Sequence, residues 1–279
     1  MGETTAATQA AALRLPVGDQ ALIAWVWGQG PRTLVCLHGY AMQGRDFARL
    51  FPVAPAGWRI VAVDLAFFGE SAWEGKVSAA DLRMLGREIA EHFAVESLHL
   101  LGFSIGVRWA LGLVARGTVP VKRAILVAPD GLKLHPVYRL ATGTALGRGL
   151  FRAVLRRPGG LFLVARILHK LRLLSAGNRK LLERQLGTPA ARTRVRQVWL
   201  GYADLRPNLR KVAQRSRDWD TEWHVIWGKR DRTTPPRLGR RFLREVPGTR
   251  RYLIEGGHFL LHPPSAELKD IVQSILQDE

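Results

Sequence analysis

Along the first half of the chain, apolar and polar positions fall into short strand-like runs separated by longer stretches of helical spacing. Residues 21–27 and 33–37 are apolar and rich in β-branched and aromatic side chains, with the turn sequence Gly28-Gln29-Gly30-Pro31 between them. Residues 59–63 form the next expected strand, ending at Asp64. Over 78–93, Leu82, Leu85, Ile89 and Phe93 recur at helical intervals behind Ser78, a good N-cap. A strand at 98–101, a helix at 105–116 and a strand at 124–128 continue the alternation. The pattern predicts an α/β fold with a mostly parallel, doubly wound sheet.

After Pro129-Asp130-Gly131 the rhythm changes. From 132 to 217 there is little β pattern; Leu and Arg recur at helical intervals, broken by Pro158-Gly159-Gly160, Ala176-Gly177-Asn178, Gly187 and Pro207. Residues 161–174 read as one helix of this stretch. Strand and helix signals resume at 223–227, 237–245 and 251–254, with a last helix toward Ile275. The expected organisation is a core in two parts, 13–131 and 218–279, around a helical insertion at 132–217.

Charge sharpens that division. The 279 residues carry 42 Lys+Arg and 23 Asp+Glu, a net +19. Twenty of the basic residues, but only Glu183 and Asp204 among the acids, lie in 132–217. The remainder is close to neutral. A hydrophobic share of 47% supports a packed core and excludes a disordered or collagen-like chain, and Cys36, alone, excludes a disulfide scaffold. No run of 18 apolar residues predicts a spanning helix. Residues 1–12 lack the cationic start and apolar segment of a signal peptide and are expected to be a frayed tail.

The sharpest chemical signal is Gly102-Phe103-Ser104-Ile105-Gly106, a G-x-S-x-G pentapeptide between an expected strand and an expected helix. Small flanking residues allow a sharp turn that lifts the serine clear of the sheet. The turn also aims the Ile105 N–H, at a helix N-terminus, toward an oxyanion. Leu37-His38-Gly39-Tyr40 ends a strand where a second oxyanion donor is required; the Tyr40 N–H is the candidate and Ala41 the alternative. Downstream, Gly228-Lys229-Arg230-Asp231 and Gly256-Gly257-His258-Phe259 each follow an expected strand. Ser104, Asp231 and His258 thus occur as nucleophile, acid and base at the sheet edge where open α/β folds place ligands. Asp130 also follows a strand and is the rival acid; Asp231 is preferred for its Gly-x-x-Asp context.

With these pieces in order, the chain resembles the α/β-hydrolase superfamily from about Leu13 to its end. The likeness is to esterase- or lipase-like serine hydrolases with a helical lid inserted after the sixth strand. Two positions depart from the usual pattern: Gly106-Val107 stands where Gly-Gly is common, and Phe67 replaces a glycine in Asp64-Leu65-Ala66-Phe67-Phe68-Gly69-Glu70-Ser71. The resemblance implies that His258 activates Ser104, Asp231 orients His258, and the Tyr40 and Ile105 amides hold the oxyanion. A serine at 104 disfavours the epoxide-hydrolase and dehalogenase branches, which need a carboxylate nucleophile. Phe103 and Phe259 are weaker candidates for lining the substrate pocket.

The expected reaction is therefore cleavage of a small-molecule carboxylic ester or acyl substrate through an acyl-enzyme, without cofactor or metal. A C–C bond hydrolase or lyase acting on an acidic substrate shares the same triad. A non-catalytic membrane-surface or scaffold protein keeping the fold is the alternative of another class. The basic lid reads first as helix buried on one face against the sheet and solvated on the other, in a cytoplasmic protein. The sharper alternatives are that it faces an acidic membrane surface, with peripheral contact there, or an acidic substrate. Nucleic acid is not expected, because no recognition motif accompanies the charge. His38 is read as packing beneath its loop, Cys36 as inert and Ser71 as a turn residue. His135, His169, His224 and His262 are assigned no partner and default to the surface or the lid.

Overall fold

Eight strands pair in the order β1-β2-β4-β3-β5-β6-β7-β8. They are β1 (Ala11–Val17), β2 (Gln20–Trp27), β3 (Arg32–Leu37), β4 (Trp58–Val63), β5 (Leu98–Phe103), β6 (Val121–Val127), β7 (Glu222–Gly228) and β8 (Arg250–Ile254). The computed structural model describes residues 10–52, 54–170, 183 and 185–277. The β1–β2 and β2–β4 pairings are antiparallel and all others parallel. β3 and β5 are buried almost throughout, as parallel strands covered on both faces must be. The chain leaves β3 for β4 on one side and returns to β5 on the other. That reversal makes the C-terminal ends of β3 and β5 the switch point at which open α/β sheets place ligands.

One expectation at the N-terminus is corrected. Ala11 and Ala12, read as part of a frayed tail, open β1, which buries Leu15 and Val17 against the neighbouring structure. The interruption by Pro16 hid this strand; an edge strand accommodates proline because one side of its ladder is unpaired. Residues 1–9 lie outside the described residues.

Helices α1 (Ala79–His92) and α2 (Gly106–Arg116) belong to the core. Ser78 caps α1 by accepting from the Ala80 and Asp81 amides, and Asp81 reciprocates to the Ser78 N–H, a full capping box. α2 is buried from Gly106 to Ala115, an interior helix that follows directly on the turn at 102–106.

The described chain divides into two compact units. The second comprises Gly75–Val77 and Leu134–Asp204, with helices α3 (Pro136–Gly143), α4 (Ala145–Arg156), α5 (Gly159–Lys170) and α6 (Pro189–Gly201). Within it the Tyr138 hydroxyl donates to the Tyr202 carbonyl at 3.0 Å, and Phe151 stacks on Trp199 with centroids 5.0 Å apart. Arg152, Arg156, Arg194 and Arg196 are exposed on its helices. Of the helix expected over 161–174, residues 171–174 lie outside the described residues, as does the break at 176–178. Residues 205–217, expected in the insertion, group instead with the core. There α7 (Leu209–Trp219) buries Leu209, Val212 and Ala213 and packs on α2, while its Ser216 hydroxyl accepts from Trp223 Nε1 at 2.9 Å. The element expected over 237–245 is a 3₁₀ turn, Pro236–Gly239, followed by the short helix α8 (Arg240–Glu245); α9 (Ala266–Gln277) closes the fold. Among the described residues no helix is long and apolar enough to cross a membrane.

Candidate active site

The G-x-S-x-G pentapeptide folds as it does because three backbones crowd together there. Ser104 sits at φ +50°, a left-handed conformation that costs a non-glycine residue about 1–3 kcal/mol. Hydrogen bonds hold it in place. Its N–H donates to the Val127 carbonyl at 3.0 Å, and its own carbonyl accepts from Asp130 and Val107, each at 3.1 Å. The glycines make the approach possible. A Cβ on Gly106 would run into the Leu37 carbonyl, and one on Gly102 would press on the Val107 backbone at 3.0–3.1 Å. The end of β3 therefore lies directly against the start of α2, and this juxtaposition brings the loop bearing Tyr40 beside the turn bearing Ile105. Ile105 immediately precedes the first residue of α2. The Tyr40 ring packs edge-on to Phe68 at 5.5 Å.

Asp231 and His258 arrive from loops after β7 and β8 that are laced together. Lys229 N–H donates to the Ile254 carbonyl and Arg230 N–H to the Gly256 carbonyl, both at 2.9 Å. A side chain on Gly228 would meet the Gly256 and Gly257 backbone. The result is a continuous relay. The Ser104 hydroxyl lies 2.8 Å from His258 Nε2, and His258 Nδ1 lies 2.9 Å from Asp231 Oδ2. With the carboxylate accepting from Nδ1–H, Nε2 keeps the lone pair and accepts from the serine. The other carboxylate oxygen accepts from the Thr233 and Thr234 amides, each at 2.8 Å. Burial pushes the Asp231 carboxyl up, but the hydrogen bonds from His258 and Thr234 outweigh it and hold the group below its ordinary range. An arrangement of this kind is chemically able to take a proton from a hydroxyl and store it on an imidazole.

The remaining sequence candidates divide. Phe103 is buried with its ring 5.8 Å from that of His258, and Phe259 stands edge-on to the same imidazole at 5.6 Å, 55% exposed. Asp130, the rival acid, pairs with Arg108 at 2.7 Å. Cys36 is fully buried in β3, which pushes its thiol well up from the ordinary value. Ser71 is a turn residue whose hydroxyl donates to the Asp64 carbonyl and accepts from the Ile23 N–H.

The profile of the α/β hydrolase fold matches residues 32–263, a span that contains all three relay residues. The chain belongs to the α/β-hydrolase fold family. It is a hydrolase of that family, and its sequence relatives bear hydrolase and esterase names. The pimeloyl-[acyl-carrier protein] methyl ester esterase of Aeromonas hydrophila subsp. hydrophila is 30% identical over 263 residues, covering 85% of this chain and 92% of its own. An uncharacterized hydrolase, YugF, of Bacillus subtilis is 24% identical over 246 residues, covering 83% and 85%. Among solved structures, a thermophilic esterase from Thermogutta terrifontis superposes with a TM-score of 0.67 at 17% identity, covering 96% of this chain and 98% of that one.

For several residues of this α/β-hydrolase the structure supplies partners that the sequence does not show. His224 is not a surface histidine: it is fully buried in β7, 3.2 Å from the Tyr252 hydroxyl and 3.1 Å from Glu222. His262 contacts Arg49 at 2.7 Å, and His135 caps α3 by accepting from the Val137 amide. His38 is buried beneath its loop, as expected, and is hydrogen-bonded there. Its Nδ1–H donates to the Gly39 carbonyl at 2.7 Å and its Nε2 accepts from the Leu65 N–H at 3.0 Å. Asp64 accepts from the Gly44 amide, the Glu70 amide and Trp25 Nε1. Together these bonds fix the loops after β3 and β4. Thr234 was not foreseen at all; its nearest signal is a hydroxyl residue three places after Asp231.

Proposed function

We propose that this hydrolase cleaves carboxylic esters with Ser104 as nucleophile, His258 as general base and then acid, and Asp231 as the group that orients and stabilises the imidazole. The observation carrying the reading is the unbroken relay at 2.8 and 2.9 Å from the Ser104 hydroxyl through His258 to Asp231. The esterase names of the sequence relatives support it.

Ser104 Oγ attacks the ester carbonyl carbon while its proton passes to His258 Nε2. The carbonyl oxygen becomes an oxyanion, and the Tyr40 and Ile105 amides are its donors. The imidazolium then protonates the departing alkoxy oxygen as the carbon–oxygen bond breaks, leaving an acyl group on Ser104. Water repeats the sequence: His258 takes its proton, the acyl–serine bond breaks, and the proton returns to Ser104. General-base assistance contributes about 10²–10⁴-fold and each oxyanion donor about 10²–10³-fold.

Labelling with a fluorophosphonate tests the assignment. The expected result is a single adduct on Ser104 in the folded protein, with loss of p-nitrophenyl ester hydrolysis in proportion. An adduct elsewhere, or hydrolysis that persists in fully labelled protein, overturns it.

A further inference from the structure

The exit of β6, residues 127–130, touches both the nucleophile turn and the acid loop. Val127 accepts from the Ser104 N–H, and the Asp130 N–H donates back to the Ser104 carbonyl. The carbonyl between them, that of Ala128, lies 3.0 Å from the hydroxyl of Thr234. Ala128 itself has φ +44°, a strained conformation for a residue with a Cβ, which turns the chain sharply as it leaves the strand.

The Thr234 hydroxyl has two further neighbours. Asp231 Oδ2 is 2.9 Å away and His258 Nδ1 is 3.2 Å away. The oxygen thus stands beside the same Nδ1–Oδ2 contact that couples base to acid. One hydroxyl proton serves two acceptors, the Ala128 carbonyl and the carboxylate, while the oxygen lone pairs face the imidazole Nδ1–H. Thr234 is 4% exposed, so water does not compete for these partners. Pro235 follows it, which disfavours helical backbone at 234 and helps keep the residue in its loop conformation.

We propose that Thr234 is a positioning residue of the relay: its hydroxyl fastens the acid loop to the Ala128 carbonyl and gives the His258 Nδ1–H a second acceptor beside Asp231. The proposal rests on the reading of Ser104, His258 and Asp231 given above. As positive charge develops on the imidazole, a ring held by two oxygens keeps Nε2 aimed at Ser104. A methyl in place of the hydroxyl leaves one oxygen, and the ring is free to tilt.

The test uses Thr234→Val, which keeps the shape and removes the hydroxyl, and Thr234→Ser, which keeps the hydroxyl. Both are made in the wild-type and Asp231→Asn backgrounds. Thr234→Val should lower kcat about tenfold with KM unchanged, the size expected for one lost hydrogen bond in the transition state, and Thr234→Ser should restore most of the loss. Because the hydroxyl acts through the Asp231–His258 contact, Thr234→Val should cost little more once Asp231 is already asparagine. Unchanged kcat in Thr234→Val, a loss that serine does not rescue, or an equal loss in both backgrounds would overturn the proposal. Ser104→Ala, run alongside, separates the two questions. If it retains hydrolysis, the underlying triad reading fails; if it is inactive while Thr234→Val is normal, only the role of Thr234 fails.

Discussion

Arg108 and Asp130 form an ion pair, 2.7 Å apart, beside the turn that bears Ser104, with the guanidinium buried and the carboxylate partly exposed. The pair engages Asp130, the rival acid of the sequence reading, in a contact away from His258. Asp130→Ala is therefore expected to destabilise the fold. Removing one partner of a buried pair leaves the other charge uncompensated, at a cost of about 3–5 kcal/mol where burial is complete and less here. Urea unfolding checks the loss, and kcat per folded molecule should stay within a few-fold of wild type.

Asp231→Asn should show the opposite pattern. The Thr233 and Thr234 amides still find an acceptor oxygen at 231, so the fold is retained, but the amide no longer fixes the tautomer of His258. A fall in kcat of about 10⁴-fold is expected by analogy with the same change in other triads. Steady-state kinetics beside a melting curve distinguishes chemistry from unfolding, and a variant within tenfold of wild type would speak against Asp231 as the acid.

Ser104→Ala should remove at least about 10³-fold of the turnover of short p-nitrophenyl esters. The melting curve should move little, because the Val127, Val107 and Asp130 contacts are made by the Ser104 backbone.

Gly106→Ala should be costly despite its small size. The added methyl meets the Leu37 carbonyl, part of a central strand that cannot give way. Overpacking of this kind costs about 1–3 kcal/mol or more, read as a lower melting temperature, and kcat should fall with it because the strand exit and the turn bearing Ser104 must separate.

Acid should weaken the fold at two identifiable groups. Burial holds His38 at about 4, against an ordinary value of 6.5, so the unfolded chain binds the proton more readily. The stability due to neutral His38 is complete above about 6.5 and is lost as the pH falls toward 4, a change of roughly 3 kcal/mol. Asp231 acts in the same sense at lower pH: its folded value is depressed, so its contribution is present above the ordinary carboxylate value and disappears as the pH drops through the folded one. Denaturant midpoints from pH 7 to pH 4 should fall steeply in the wild type and less in His38→Gln. Parallel curves would remove His38 from the account.

Much of this was legible in the chain because the signals are local. Ser78 and the Leu82, Leu85, Ile89 spacing predict α1 and its cap from fifteen consecutive residues. Ser104, Asp231 and His258 each stand just past an apolar run, so their placement at one sheet edge follows from strand order. What escaped depends on distant partners. Thr234 meets Ala128 across 106 positions, and nothing beside it in sequence marks the encounter. His224 looks like any polar residue in a strand until Tyr252 and Glu222 are seen beside it. The apolar face of α7 resembles those of the preceding basic helices, so its attachment to α2 was not readable from pattern.

The chain passes into its second unit and back at 74–75 and 77–78 and again at 133–134 and 204–205, and every hydrogen bond described among Ser104, His258, Asp231 and Thr234 is made by residues outside those stretches. Substitutions confined to the arginine-rich segment therefore leave each of those hydrogen bonds with both of its partners.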